Sequence, residues 1–314
     1  MQSPPPDLPP ARVLAIVRDG WRPGATAAGY LPVGFGSHHW RVEDDDGRAC
    51  FASADAVDGP GGWERLAGAF GVAAAARAAG VPEAHGPVPG RDGTLLARSG
   101  LWAVSVQPWL EGEAGRFSDR WSDAEAEALV RLLAGLHGVR HAAPPEEPDL
   151  PGRPALDGVL AAVARGRRPD GGPLGPEVAD VLAPRLGALR RELRRLDASV
   201  ACDPGRVVVT HGEPHPGNVV RTGAGPRLVD WDTARAAEPE RDLWLVAART
   251  DLDVAALYAE LTGRLVDPER MAGRERRWAL ADVASFVPAL LAASGPDADT
   301  AWQLEALGRT LEAL

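Results

Sequence analysis

His211, Glu213, His215 and Asn218 stand within one short loop, in the run Val-Val-Val-Thr-His-Gly-Glu-Pro-His-Pro-Gly-Asn-Val-Val from Val207 to Val220. A core segment has no use for so many polar groups directly after a strand-like triplet of valines, so the run calls for a chemical explanation. One reading is a metal centre, because H-x-E-x-H in extended backbone places three side chains on one face. The chain lacks the H-E-x-x-H of a zinc hydrolase helix and the P-C-x-x-C that completes a nucleobase deaminase. A second reading is structural, with the histidines hydrogen-bonding a tight turn stiffened by Pro214 and Pro216.

The third reading is phosphoryl transfer. In protein-kinase-like phosphotransferases a histidine stands two residues before a catalytic carboxylate, which in turn stands five residues before an asparagine. His211, Glu213 and Asn218 keep that spacing. The carboxylate must face an acceptor hydroxyl while the asparagine amide oxygen turns back to bind magnesium between phosphates. A second metal carboxylate should follow on a short strand, and Arg-Leu-Val-Asp-Trp-Asp supplies Asp230. Glu213, Asn218 and Asp230 are therefore the candidate catalytic residues, with Asn218 and Asp230 the candidate Mg2+ ligands.

With both motifs in order, the sequence resembles the aminoglycoside phosphotransferase family, and within it the spectinomycin-type branch. The family loop H-G-D-x-H-x-x-N is matched by His-Gly-Glu-Pro-His-Pro-Gly-Asn with one change. The resemblance implies that Asp242, in Glu-Arg-Asp-Leu-Trp, opens a helix and hydrogen-bonds the catalytic loop, supporting it together with His211. It implies a nucleotide-covering hairpin in Tyr-Leu-Pro-Val-Gly-Phe-Gly-Ser-His-His-Trp, with Gly34, Phe35, Gly36 and Ser37 over the phosphates. It also implies an adenine-reading hinge at Pro108, Trp109 and Leu110. ATP or another nucleoside triphosphate and Mg2+ are the expected cofactors, and a small hydroxylated, cationic acceptor such as an aminocyclitol is the expected partner.

Two departures stand out. The family's phosphate-holding lysine should lie near Ala52 or Ser53, yet all 34 basic residues are arginine and the chain has no lysine. Arg41 and Arg98 are the candidate replacements, although a planar guanidinium does not reproduce a compact ammonium. Glu64 reads either as the former partner of that lysine or as a first-turn carboxylate favoured by the helix dipole. Glu213 replaces the usual aspartate, moving the carboxylate by roughly one C–C bond length, about 1.5 Å. These departures leave an alternative from another class, a degenerate kinase-like scaffold serving a protein partner.

The elements around these motifs suggest an α+β, bilobal, protein-kinase-like fold. Residues 1–110 read as a small antiparallel lobe with one main helix. A helix near Ala11–Asp19 precedes extended runs at 36–43 and 49–54, and an alanine-rich helix stops at Gly80. Two short strands then lead to a hinge at about 107–111. Residues 111–314 read as a mostly helical lobe carrying the catalytic loop 211–218, the metal strand 227–232 and acceptor-binding helices. A helix begins at Ser122, where Glu125 completes a capping box. Helices are expected near 155–166, 177–198, 239–249, 252–262, 269–293 and 298–313.

The net charge of −10 argues against nucleic acid and suits a cationic ligand, to which Glu238 and Glu240 would contribute. No apolar run approaches the ~20 residues of a membrane span and no export signal is evident, so a cytoplasmic protein is expected. Cys50 and Cys202 read as packed thiols outside any disulfide or zinc scaffold.

Overall fold

The computed structural model describes residues 3–34, 36–57, 61–147, 149–198 and 202–314. They fall into two compact units, Met1–Glu146 with Cys202–Val266, and Glu147–Ala201 with Asp267–Leu314.

The first unit opens with helix α1 (Pro10–Gly20), then strands β1 (Ala25–Leu31), β2 (His38–Asp44) and β3 (Ala49–Ala56). Helix α2 (Gly62–Ala78) precedes β4 (Ala97–Ser99) and β5 (Trp102–Pro108), and the five strands form one antiparallel sheet in the order β1-β2-β3-β5-β4. Side-chain alternation gives this sheet two different faces. Trp40, Val42, Ala52, Ala54, Val104 and Val106 pack with Leu8, Val13 and Val17 in one apolar cluster. The register aligns His39 with Ser53 and Ser53 with Ser105 on the opposite face, beside Phe51, Asp55 and Gln107. That second, polar face is the one that meets the candidate site.

Short β6 (Glu113–Ala114) leads to α3 (Asp123–His137), where Ser122 and Glu125 form the expected capping box. The catalytic-loop segment leaves β7 (Val208–Thr210) and passes through a single turn of 3-10 helix into β8 (Val219–Thr222) and β9 (Gly225–Leu228). Strand β10 (Arg235–Ala237) returns to pair with β7, so the loop is clamped at its base. Helices α4 (Glu240–Ala247) and α5 (Val254–Thr262) complete the unit. The sequence pattern foretold neither β1 nor the short β6, β8 and β10. The metal-strand expectation needs a correction of position: β9 ends at Leu228, and Asp230 lies beyond it.

In the second unit, helices α6 (Arg153–Ala164), α7 (Gly175–Leu182), α8 (Leu186–Asp197), α9 (Pro268–Ala292) and α10 (Ala298–Ala313) share a core of Leu156, Leu160, Val178, Leu189, Leu193, Val287 and Leu290. The single helix expected at 177–198 is divided by a 3-10 turn at Ala183–Arg185, where Pro184 lacks the donor an α-helix interior needs. Among the described residues, no helix is long and apolar enough to cross a membrane. Cys50 is buried as expected, Cys202 is exposed against expectation, and neither forms a disulfide.

Candidate active site

One carboxylate holds the catalytic-loop segment from below. Asp242, wholly buried in the first turn of α4, accepts from the backbone N–H of His211 at 2.9 Å and of Gly212 at 2.6 Å. His137, at the end of α3, meets the same carboxylate at 3.1 Å through Nε2, and its Nδ1 lies 2.9 Å from the Tyr258 hydroxyl on α5. Burial alone would raise the Asp242 pKa, but the His137 hydrogen bond and nearby positive charge outweigh it and hold the group below the usual carboxylate value. An ionised acceptor strengthens both backbone bonds.

His211 is fully buried, with Nε2 at 2.9 Å from the Val229 carbonyl and Nδ1 accepting from the Glu213 N–H at 3.2 Å. Nε2 therefore donates and the imidazole is neutral, in keeping with a pKa that burial lowers to about 4. With both ring nitrogens committed to backbone, His211 is not a metal ligand, and the H-x-E-x-H metal reading loses its first member. His211 thus bridges the catalytic-loop segment and the Val229 backbone. Gly212 adopts φ +106°, and a Cβ there would run into the guanidinium of Arg241. That guanidinium donates to the Thr210 hydroxyl at 2.9 Å and the Thr233 carbonyl at 2.8 Å.

Asn218 donates through Nδ2 to the Glu213 carbonyl at 3.0 Å, turning its amide oxygen away from that carbonyl. The Val229 N–H donates to the Asn218 carbonyl at 2.9 Å, so the Glu213–Asn218 loop is bonded to the residue that precedes Asp230. Asp230 has φ +66°, the only non-glycine residue with positive φ among those described. Such a backbone costs about 1 kcal/mol, least for Asp and Asn, and is tolerated where surrounding contacts impose it. His215 packs edge-on against Phe117 with ring centroids 4.8 Å apart, its Nε2 4.0 Å from the Glu213 carboxylate. Burial first, then the neighbouring His211 and the Arg249 guanidinium, lower its pKa to about 4.

Asp230 lines a cavity of about 20 Å³ together with Ser37, His39, Ser53, Asp55, Phe70 and Trp231. Burial, then the charges of Asp232, Glu213 and Asp55, raise the Asp230 pKa well above the usual range. Burial raises the Asp232 pKa as well, against the lowering effect of the nearby Arg235 charge. Asp55 is raised to about 7 by burial and then by Asp232. The cavity is thus bordered by crowded carboxyl groups. Its histidine, His39, is neutral, because burial lowers it to about 4.

The hairpin residues Gly34 and Gly36 adopt φ +71° and +91°, and Phe35 lies outside the described residues. Ser37 donates to Asp55 Oδ1 at 2.5 Å, tying the hairpin to β3. Pro108 ends β5 with its carbonyl 2.9 Å from His85 Nε2, and the Trp109 ring lies 6.3 Å from Phe51, with half-buried Leu110 following. Of the two expected lysine positions, Ala52 is buried on the apolar face and Ser53 faces the cavity. Neither candidate arginine lines that cavity. Arg41 lies 4.8 Å over the Trp109 ring and 2.7 Å from Glu43, and Arg98 lies 4.4 Å over Trp63. Glu64 is exposed in the first turn of α2, where the dipole reading suffices. Glu238 and Glu240 are buried, Glu238 accepting from the Asp203 N–H and Glu240 pairing with Arg206, so they do not present charge to an approaching cation.

The oxygen donors of Asn218 and Asp230 fit a hard cation such as Mg2+. Among the described residues no three His, Cys, Asp or Glu side chains form a ready-made metal cage. A magnesium site needs none when one or two protein oxygens are completed by phosphates. Sequence reasoning missed Asp55, although the alternation Phe51, Ser53, Asp55 along β3 placed it on the cavity face. It also missed His137 and Tyr258, which lie 105 and 121 residues from their partners and carry no local signal.

A profile described as the phosphotransferase enzyme family matches residues 30–277. Protein StrN of Streptomyces griseus is 29% identical over 240 residues, covering 72% of this chain and 70% of that protein. Spectinomycin phosphotransferase APH(9)-Ia, solved with ADP and spectinomycin, superposes with a TM-score of 0.74 at 13% identity over 97% of both chains. Amicoumacin kinase hAmiN, solved with AMP-PNP, Ca2+ and Ami, gives 0.59 at 12% identity over 96% of this chain and 93% of that one. These structures share the protein-kinase-like fold.

Proposed function

Because the chain belongs to the phosphotransferase enzyme family, we propose that it transfers the terminal phosphoryl group of ATP, with Mg2+, to a hydroxyl of a small cationic natural product such as an aminocyclitol. The observation that carries this reading is the bonded segment from Glu213 through Asn218 to Val229, which sets a carboxylate, an amide and the strained Asp230 in fixed order. Glu213 orients or deprotonates the acceptor hydroxyl. Asn218 and Asp230 hold the metal, which when bound would offset phosphate charge. Phosphoryl transfer depends more on positioning and charge neutralisation than on a strong base, so glutamate can replace aspartate if the loop path compensates.

In this reading residues 1–110 form the nucleotide-covering lobe, residues 111–314 the catalytic and acceptor lobe, and Pro108–Leu110 the hinge. A cytoplasmic location would supply the ATP. The cavity of about 20 Å³ is far below the roughly 300 Å³ or more of a small-molecule site, so nucleotide entry in this reading requires the cavity to open. The partners are a nucleotide and a small acceptor, with no role for nucleic acid or a membrane.

The small cavity and the absence of lysine favour a second reading, a degenerate kinase-like scaffold that binds a protein partner. Calorimetric titration of ATP, with and without magnesium, into wild type and Asp230→Ala separates the two. The enzyme reading expects magnesium-dependent binding that is lost with Asp230. Absence of binding at millimolar nucleotide removes the enzyme reading and leaves the scaffold.

A further inference from the structure

The cavity beside Asp230 contains a carboxylate where the nucleotide-phosphotransferase reading expects positive charge. Asp55 sits on β3 two residues beyond Ser53, on the same face by strand alternation, and both line the cavity with Asp230. Its two oxygens differ. Oδ1 accepts from the Ser37 hydroxyl of the hairpin at 2.5 Å, while Oδ2 is buried and has no hydrogen-bond partner. A buried carboxylate oxygen without a partner is costly and marks a place where a ligand belongs. Nothing cationic among the cavity residues meets it. The chain has no lysine, Arg41 and Arg98 are stacked on Trp109 and Trp63, and the one cavity histidine bonds Ser53 at 3.1 Å.

Three ligands could satisfy that oxygen. An ammonium group of an acceptor would, but the position is bracketed by the nucleotide-covering hairpin and Asp230, which places it with the phosphates. A water would satisfy the hydrogen bond and leave the carboxylate facing an incoming polyphosphate, a repulsion between like charges. A divalent cation satisfies the oxygen and the phosphates together, and magnesium is commonly held by one or two carboxylates plus phosphate oxygens.

We propose that Asp55 is a ligand to a divalent cation on the phosphate side of the nucleotide, so that a carboxylate-held metal takes over the charge-neutralising role of the missing lysine. This rests on the nucleotide-phosphotransferase reading above. It goes beyond that reading by adding a protein ligand on the sheet to the pair Asn218 and Asp230, and by making nucleotide affinity unusually dependent on metal. Ser37 becomes a positioning residue that aims Asp55 and links the seated hairpin to the charged state of the site.

The test uses Mn2+ as the probe, followed by electron paramagnetic resonance on the full chain in the presence of ADP, with calorimetry of ADP alone in parallel. Wild type is compared with Asp55→Asn, Asp55→Ser and Asp230→Asn, each checked for folding by circular dichroism. Two Asp55 variants are used so that a folding failure in one leaves the other informative. The proposal expects both Asp55 variants to weaken Mn2+ binding in the ADP complex at least tenfold while leaving metal-free ADP binding equal or tighter, because a repelling charge has gone. Asp55→Lys should bind ADP without metal more tightly than wild type. Wild-type Mn2+ affinity in both Asp55 variants, with loss confined to Asp230→Asn, overturns the role of Asp55 and leaves the phosphotransferase reading standing. Absence of both ADP and Mn2+ binding in wild type overturns that reading as well.

Discussion

Gly212 and Arg241 are fitted to one another: the backbone of Gly212, at φ +106°, passes so close beneath the Arg241 guanidinium that a Cβ would have to displace it. The arginine spans Thr210 on one side of the loop and Thr233 on the other, so the glycine permits a cross-brace over the start of the catalytic segment. Gly212→Ala should therefore cost about 2 kcal/mol or more, since left-handed strain alone costs ~1–2 kcal/mol per residue. Urea denaturation measures it. Gly212→Ala combined with Arg241→Ala should show a non-additive recovery, because the clash is removed and only the backbone strain persists.

Asp242→Asn keeps the shape of the buried carboxylate and removes its charge. Two backbone N–H donors and His137 then share a neutral amide that can accept through only one of its two ends. A destabilisation of about 3 kcal/mol is expected, the magnitude typical of breaking a buried charged pair. Phosphoryl transfer should fall by about 10²-fold, because a displacement near 1 Å in positioned groups has that effect. Unchanged turnover would show that the loop keeps its geometry without this anchor.

Glu213→Gln retains hydrogen bonding and removes the base. General-base contributions are about 10²–10⁴-fold, so kcat should fall in that range while KM for the acceptor changes little. Steady-state kinetics with an identified acceptor test this, and a large change in KM with constant kcat would assign Glu213 to binding instead.

Acid should weaken the fold through His211. Its folded pKa is lowered from 6.5 to about 4 by burial, so the unfolded chain binds the extra proton across that interval. The contribution is fully present above about pH 6.5 and is lost as pH falls towards 4. One pKa unit corresponds to about 1.4 kcal/mol, so wild type should lose about 2 kcal/mol from this residue between pH 6.5 and 5. Equilibrium unfolding of His211→Asn at the two pH values should show a shallower loss than wild type. Asp55 acts in the opposite sense, since its pKa is raised to about 7 and its folded form is favoured by protonation. Asp55→Asn should therefore raise stability at pH 8 relative to wild type and have less effect at pH 5.

The site was legible where chemistry is local. His211, Glu213 and Asn218 are fixed by spacing within one loop, and the capping box at Ser122 and Glu125 is read from two residues one turn apart. Strand β1 was missed because Ala-Thr-Ala-Ala-Gly-Tyr-Leu has few β-branched residues and a weak alternation, its pairing with β2 supplying what its own sequence lacks. Strands β6, β8 and β10 are two to four residues long and exist through their partners. The His137–Asp242–Tyr258 contacts join three helices far apart in sequence, so no window of sequence contains them. Asp55 falls on the cavity-facing period of β3, but a carboxylate there carries no signal where the family pattern calls for a basic residue.

The division of the second compact unit between residues 147–201 and 267–314 has a consequence for biosynthesis. Helices α6, α7 and α8 leave the ribosome with Leu156, Leu160, Val178, Leu189 and Leu193 ready to pack, while their complement on α9, Val287 and Leu290 among it, is still untranslated. At about 5–20 residues per second the intervening stretch delays the partner helix by several seconds. For that interval the nascent chain carries a naked leucine surface, a substrate for holding chaperones. Synonymous codon changes that slow translation between α8 and α9 should lower the soluble yield without altering a single amino acid.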